Sequence, residues 1–418
     1  MMEKGNLMRY KQIARRLADG ILRDRAPGER LPGVRELARS ENISLVTAKN
    51  VYRYLFEQGL VVSRQGAGTF VAHGMSGGVI DMAVIRPPGN LMLWVSPHLR
   101  LTIEGLNTYD PPQGYEPLRE QAGKWLMSSG IDSIPMVTSG AQQALFLLGL
   151  SLLRKGDAVA VEDPGYMGAA RIFESLGAEV VSVPCIASRE DLDRIGSLDI
   201  RLLYTMPQGH IPTGRSMPGY LRDDLIAMAS DKDFFIIEDD PLSDVVGITP
   251  LKARDTRERV IYIKSLSNIL GPGLRMGFAV FPDSMQSSIL DLKEINDLSL
   301  SGILQRSLLT VFTSSRLSGH IERLRHELAQ RSAYLAQNTP WEAGGPCVWI
   351  RTPIPSRICR DRLLEHGVRI TPGDIYGSRW SHYIRLSVLT PTLPDFKRGV
   401  GIVQEFLNGV KGPELTEF

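Results

Sequence analysis

The chain is 418 residues long, 43% hydrophobic and 22% charged, with a formal net charge of +2. These proportions suit a globular chain of two to three domains and exclude a disordered, collagen-like or disulfide-stapled protein. Cys185, Cys347 and Cys359 are odd in number and far apart, with no CxxC or Cys/His cluster, which points to a reducing compartment and against structural zinc; no metal ligands are expected.

The near-neutral total hides an asymmetry. Residues 1–73 carry 13 Lys and Arg against 7 Asp and Glu, whereas the remainder carries 35 against 39. A basic head on a mildly acidic body suggests a nucleic-acid module fused to something else.

In chain order, Tyr10 to Asp24 reads as a helix, with Ile13, Leu17, Ile21 and Leu22 on one apolar stripe. Pro27-Gly28 breaks it, and a second helix starts near Leu31-Pro32, turning Val34, Leu37 and Ala38 inward. Asn42-Ile43 makes a tight turn. Ser44 suits the N-cap of a third helix running to about Gln58, with Val51, Tyr52 and Leu55 inward and Thr47, Lys49, Asn50 and Arg53 on other faces. Leu60-Val61-Val62 and Thr69-Phe70-Val71 alternate like two short strands around Gly66-Ala67-Gly68, a hairpin signal.

Helix, helix, turn, helix and hairpin is the order of a winged helix-turn-helix, which lays its third helix in the DNA major groove. The run LPGVRELARSENISLVTAKNVYRYLFEQGLVVSRQGAGTFV closely resembles the head of the GntR family. The resemblance implies that Arg35 and Arg64 bind phosphates and that Ser44, Thr47 and Lys49 sit at the groove, with Arg53 on the DNA-facing set. It also implies that Gly66 and Gly68 let the wing approach double-stranded operator DNA. One position departs: after Ser44 the family usually carries Arg, and here Leu45 stands, so base preference does not carry over.

Ala72 to Gly78 is small, polar and glycine-rich, a linker with its centre at 74–78, and seven residues reach at most roughly 25 Å. The domains expected are thus 1–73, the linker, and 79–418, with 79–285 mainly a large subdomain and 286–418 mainly a small one. The most apolar run, Ala144 to Leu153, is about half of what spans a bilayer, and the amino terminus has no apolar signal core. A cytoplasmic protein with no membrane partner is expected. The runs Ala158–Val161, Val180–Val183, Leu202–Tyr204, Phe234–Glu238, Val260–Ile263 and Gly277–Val280 alternate with helical stretches. That pattern predicts an α/β body with a mostly parallel, helix-covered sheet and a ligand site at the strand C-terminal ends. From Gln286 to Gln337 the pattern is helical, followed by a compact αβ tail ending near Phe406.

YDPPQGYEPLREQ (109–121), VTSGAQQAL (137–145), EDPGYMGAAR (162–171), MPQGHIPTG (206–214), IEDDP (237–241), KSLSNILGPGLRMGF (264–278) and IRLS (384–387) follow in order. Together they resemble a fold-type I, aminotransferase-like domain. A GntR-like head joined to such a body is similar to the MocR (GabR-like) subfamily of bacterial regulators. The resemblance implies pyridoxal 5′-phosphate (PLP), or a related B6 form, in the body. Ser139, Gly140 and Ala141 would open a helix toward its phosphate, with Ser265, Ser267 and Arg275 adding donors. Tyr166 would stack on the ring, Asp239 would pair with the ring nitrogen, and Arg385 would grip an α-carboxylate. His210 stands in the segment before the PTG motif as a further ligand contact. Where the family has the lysine that binds PLP covalently, this chain has Asn268, so no internal aldimine is expected there and no catalytic residue is assigned. Pro241 likewise stands where the family has a tyrosine. Lys264, four residues earlier, is the nearest alternative amine and would need a rearranged strand end.

The function expected is a homodimeric transcriptional regulator whose body senses a small-molecule effector noncovalently, without turnover. That effector is a B6 vitamer, a PLP–amino acid adduct or another anionic metabolite. The alternatives are a PLP-dependent enzyme using another lysine, and a body that serves only as a dimerisation scaffold.

Overall fold

A computed structural model describes residues 13–14, 16–18, 20, 29–57, 61–64, 68–71, 79–87, 107–314, 316–342 and 344–410. The chain divides into two compact units: Met1–Ile80 with Leu364–Arg369, and Asp81–Leu363 with Ile370–Phe418. The linker expected at 74–78 and Gly66 of the wing lie outside the described residues.

In the first unit, Val34–Ser40 and Leu45–Glu57 are helices, and Val61–Arg64 pairs antiparallel with Gly68–Val71. The turn between the helices works because Asn42 adopts a left-handed conformation (φ 49°), which a short amide side chain tolerates. The Ile43 N–H then returns to the Ala38 carbonyl at 3.0 Å. Ser44 caps the next helix as its residue type predicts: its hydroxyl accepts from the Thr47 N–H at 3.1 Å and pairs with the Thr47 hydroxyl at 2.9 Å. Ile13, Ala14, Leu37, Ala38, Ala48, Val51, Tyr52 and Leu55 close a small core with Val61 and Val71 of the hairpin. The chain before the second helix adds a strand-like edge that the sequence pattern did not suggest. Leu31 N–H donates to Thr69 O, and Val71 N–H donates to Glu29 O, both at 2.8 Å.

The second unit is built on a seven-stranded sheet. Its spatial order is Met136–Thr138, Gly277–Val280, Val260–Ser265, Phe235–Asp240, Leu202–Thr205, Ala158–Glu162 and Glu179–Val183. The last five are mutually parallel, and Gly277–Val280 runs antiparallel to both of its neighbours. Met136–Thr138, three residues long, is the strand that periodicity missed; it is too short to show alternation. The strands are apolar on both faces because each face is covered. Helices Ala141–Leu152 and Met167–Ser175 pack on one side with Val159, Tyr204, Ile237, Ile261 and Ile263. Helices Arg189–Gly196 and Gly219–Asp231 pack on the other with Ala160, Leu203, Ile236 and Val260. The apolar run near Ala144 is therefore a core helix, and no described helix is long and apolar enough to cross a membrane.

The helical stretch expected from Gln286 to Gln337 divides into Asp283–Asp297, Gly302–Phe312 and Arg316–Asn338. A three-stranded antiparallel sheet follows, Cys347–Arg351, Tyr383–Ser387 and Thr371–Pro372 in spatial order, and helix Leu393–Gly409 ends the described chain.

The Ser44 cap yields a measurable expectation. Ser44→Ala is expected to lower the stability of the first unit by about 1 kcal/mol, and Ser44→Asp, which can still cap, to retain it. Hydrogen exchange of the amides of Leu45–Leu55 reads the difference, and equal protection in wild type and Ser44→Ala would contradict the cap.

Candidate functional site

Strand pleating decides which side chains reach the site. Along Phe235–Asp240, Glu238 and Asp240 face one side of the sheet and Asp239 the other; along Val260–Ser265, Tyr262 and Lys264 face one side and Ser265 the other. Asp239 and Ser265 thereby meet at the wall of a cavity of about 210 Å³, lined also by Ala141, Gln142, Tyr166, Met206, Ile211, Pro241, Ser267, Asn268 and Arg275. The helix Ala141–Leu152 points its amino terminus at this cavity, a favourable place for an anion. Gly140 at its start has φ +75°, and a Cβ there would stand 3.2 Å from an Arg275 guanidinium nitrogen, so glycine keeps the arginine close to the helix end.

Asp239 accepts from the Tyr204 hydroxyl at 2.6 Å. Burial pushes its carboxyl up to about 6, against the pull of that hydrogen bond. Burial also raises the Tyr166 phenol, and the neighbouring Asp239 adds to the effect.

The opposite face holds a separate polar network. Lys264, 1% exposed, places Nζ 3.0 Å from Asp240 Oδ2, 3.0 Å from Ser243 Oγ and 2.5 Å from Asp244 Oδ2. Burial works against its ammonium, but the two carboxylates reverse that and hold its pKa above the usual lysine value. Asp240 also accepts from the Tyr262 hydroxyl at 2.5 Å. Glu238 is held up to about 7 by burial while accepting from Gln208 Nε2 and Leu251 N, each at 2.6 Å, and from Lys252 N at 2.8 Å. The amine considered as a stand-in for a cofactor lysine is therefore an ion-paired residue facing away from the cavity.

Of the residues expected in the site, the cavity wall gathers Ala141, Tyr166, Asp239, Ser265, Ser267, Asn268 and Arg275. Four sit elsewhere. Gly140 lies just behind the wall, and Ser139 has its N–H taken by Gln143 Oε1 at 2.8 Å. His210 faces the other way: Ile211 meets the cavity, and the imidazole, 3% exposed, packs on Glu162 and Cys185 instead. Arg385 is engaged internally, donating to the Tyr376 hydroxyl at 2.6 Å, to Thr371 Oγ1 at 2.9 Å and to the Ala83 carbonyl. Only its Nε is buried without a partner. Gln142, Met206, Ile211 and Pro241 complete the wall. Gln142 follows directly from the helix start at Ala141, and Met206 opens the MPQGHIPTG segment at the end of strand Leu202–Thr205.

Beside this cavity, and sharing Met206 with it, lies a second one of about 510 Å³ lined by Glu162, Cys185, His210, Thr213, Arg215 and Glu342 among others. Burial lifts the Glu162 carboxyl to about 7 and depresses the His210 imidazole to about 3, Arg215 adding to the latter.

On the first unit, Arg35, Lys49 and Arg53 are exposed. Ser44 is exposed at its cap. Thr47, expected at the groove, is only 6% exposed because its hydroxyl closes the cap with Ser44. Leu45 and Val46, in the first turn of the helix, are 50% and 68% exposed. Arg64 lies on the first hairpin strand.

Residues 94–395 match the family "Aminotransferase class I and II". The chain belongs to that family. Residues 9–71 match "Bacterial regulatory proteins, gntR family". The "Uncharacterized HTH-type transcriptional regulator YdfD" of Bacillus subtilis is 27% identical over 94% of this chain and 95% of its own length. A 2-aminoadipate transaminase of Thermus thermophilus is 30% identical over 72% of this chain and 82% of its own. Among solved structures, the kynurenine aminotransferase of Pyrococcus horikoshii, in complex with PMP, superposes with a TM-score of 0.68 at 26% identity, covering 79% of this chain and 92% of that one. The body is thus a fold-type I aminotransferase fold behind a GntR-type head.

Asp239 makes the stability of the body pH-sensitive. A carboxyl whose folded pKa lies above its unfolded one favours folding most below the unfolded value, and that contribution is lost as pH rises through the folded one, here from about 4 to about 6. Asp239→Asn is expected to match wild type near pH 4 and to exceed its stability by up to about 3 kcal/mol above pH 6. Urea midpoints across this range test it, and a constant difference would overturn it. Glu162 and Glu238, titrating near 7, leave a slope common to both proteins.

Proposed function

We propose that the chain is a DNA-binding transcriptional regulator whose aminotransferase-like body binds a phosphorylated B6 form, PLP or its amine counterpart, noncovalently and without turnover. One observation carries the reading. Asn268 lines the cavity where the family's covalent lysine is expected, and the lysine nearest in sequence, Lys264, is locked on the far face of the sheet by Asp240 and Asp244. An amide nitrogen is not a usable nucleophile, so the pocket keeps recognition and lacks both the covalent link and the general base.

The residues present suit the two ends of such a ligand. The Ala141 helix end, the Ser265 and Ser267 hydroxyls and the Arg275 guanidinium suit a phosphate dianion. Tyr166 and Asp239 suit an aromatic, protonatable ring; a cationic ring nitrogen against Asp239 would offset the burial that raises its pKa. When bound, PLP supplies an electron sink, and among the described residues no lysine lines the cavity wall to use it. Arg385 is engaged by Tyr376, Thr371 and the Ala83 carbonyl, and the cavity is about 210 Å³. Both favour the vitamer over a bulkier amino acid adduct. The PMP held by the Pyrococcus horikoshii relative is consistent with this choice.

The head reads double-stranded DNA through helix Leu45–Glu57, with Arg35, Lys49 and Arg53 as exposed cations. In a homodimer, ligand binding would favour one conformation of the body and change the spacing of the two heads.

The test is a PLP titration of the purified protein with absorbance, borohydride reduction and intact mass. Thermal stabilisation by PLP with no reduced adduct is expected. An adduct on any lysine, or transamination above a buffer blank, would overturn the noncovalent, non-enzymatic reading. Unchanged melting in the presence of every phosphorylated B6 form would overturn the sensor and leave a scaffold. Binding to DNA selected from a random pool is expected to weaken steeply with salt. Arg35→Ala, at a phosphate contact, should weaken it on all sequences and reduce the salt slope by about one.

A further inference from the structure

Three side chains from different parts of the body converge beside the second cavity: Glu162 at the end of its strand, Cys185 in the loop after Glu179–Val183, and His210 in the loop before Pro212. His210 Nε2 lies 3.4 Å from Cys185 Sγ and 3.5 Å from Glu162 Oε2, and the three candidate ligand atoms all lie within 4.8 Å of one another. A tetrahedral zinc ion with bonds of about 2.3 Å to sulfur and about 2.0–2.1 Å to nitrogen and oxygen has ligand–ligand edges of roughly 3.3–3.6 Å. The two Nε2 edges, 3.4 and 3.5 Å, fall within that range.

The supporting contacts fit the same reading. His210 Nδ1 lies 2.9 Å from the Thr213 hydroxyl and 3.5 Å from the Thr213 N–H; metal binding at Nε2 requires the tautomer in which Nδ1–H donates to that hydroxyl, as outer contacts of metal-bound histidines do. Glu162 Oε2 is oriented by the Met206 N–H at 2.8 Å. The loop carrying His210 is pinned at both ends, His210 N to Arg215 O at 2.7 Å and Gly214 N to His210 O at 2.6 Å. The arrangement argues against a nucleophilic relay. In such a relay the thiol and the carboxylate contact opposite nitrogens of the imidazole, whereas here the thiol lies nearer Nε2 (3.4 Å, against 3.8 Å to Nδ1), the carboxylate also lies at Nε2, and a hydroxyl sits 2.9 Å from Nδ1.

We propose that Glu162, Cys185 and His210 form a binding site for one transition-metal cation of the zinc class, its fourth position open to the adjoining cavity. It departs from the expectation of no metal ligands, which rested on the number and spacing of the cysteines. Zinc is favoured over calcium or magnesium because the set mixes thiolate, imidazole and carboxylate. Arg215, which lines this cavity, is paired with Glu342 at 2.7 Å. The open position would hold water or a small anionic ligand.

The test uses the full-length protein, a thiol-free reductant and cobalt(II) as the probe. One equivalent per chain is expected to give ligand-field bands of tetrahedral intensity and a sulfur-to-cobalt charge-transfer band, both abolished by zinc. Cys185→Ser is expected to remove the charge-transfer band and Cys359→Ser to keep it. Glu162→Gln should weaken cobalt binding by at least about tenfold with an unchanged circular dichroism spectrum, which separates a lost ligand from a lost fold. No bands on wild type at saturating cobalt would overturn the site, as would a charge-transfer band that survives Cys185→Ser or full affinity in a folded Glu162→Gln protein.

Discussion

A lysine ammonium buried at 1% exposure is tenable only because Asp240 and Asp244 lie within 3.0 and 2.5 Å of it, and this contact organises the middle of the body. Removing one partner of such a buried group leaves an uncompensated charge, typically a loss of about 3–5 kcal/mol. The Lys264 side chain is therefore not free to swing through the sheet. Because successive residues of a strand alternate faces, fixing Lys264 beneath the sheet fixes Ser265 above it, and Asp239 opposes Asp240 in the same way. The cup receives hydroxyls, a carboxylate, an amide and a guanidinium. Its donors suit holding an anion and an aromatic ring.

Much of this was legible before any coordinates. The periodic strands, the cap at Ser44 and the order of the motifs carry direct physical meaning: pleated faces, an orphan N–H satisfied by a hydroxyl, a helix end offered to an anion. The facing of Lys264 was readable in principle, since it and Ser265 are adjacent on a strand and cannot share a face. The facing of His210 was not, because in a loop adjacent residues follow no fixed period; Ile211 takes the cup and His210 the second cavity.

Tertiary contacts explain the remaining departures. Arg385 resembles a free carboxylate clamp in sequence, yet the Ala83 carbonyl, Tyr376 and Thr371 engage it in the fold. Thr47 was placed at the groove by the family resemblance, which carries no information about the cap that its hydroxyl closes with Ser44. The Glu162–Cys185–His210 cluster carries no spacing signature at all: its members stand about two dozen residues apart and meet only because parallel strands deliver their C-terminal ends to one edge.

Met206 forms part of the wall of both cavities, and its N–H is the group that orients Glu162. The two chambers therefore share a partition with a chemical handle on one side. A guest that pressed on Met206 from the cup would bear on the backbone that aims the carboxylate, and a guest drawing on the carboxylate would bear on Met206 in return. Thermodynamic reciprocity would make any such influence equal in both directions, each guest changing the affinity of the other by the same factor.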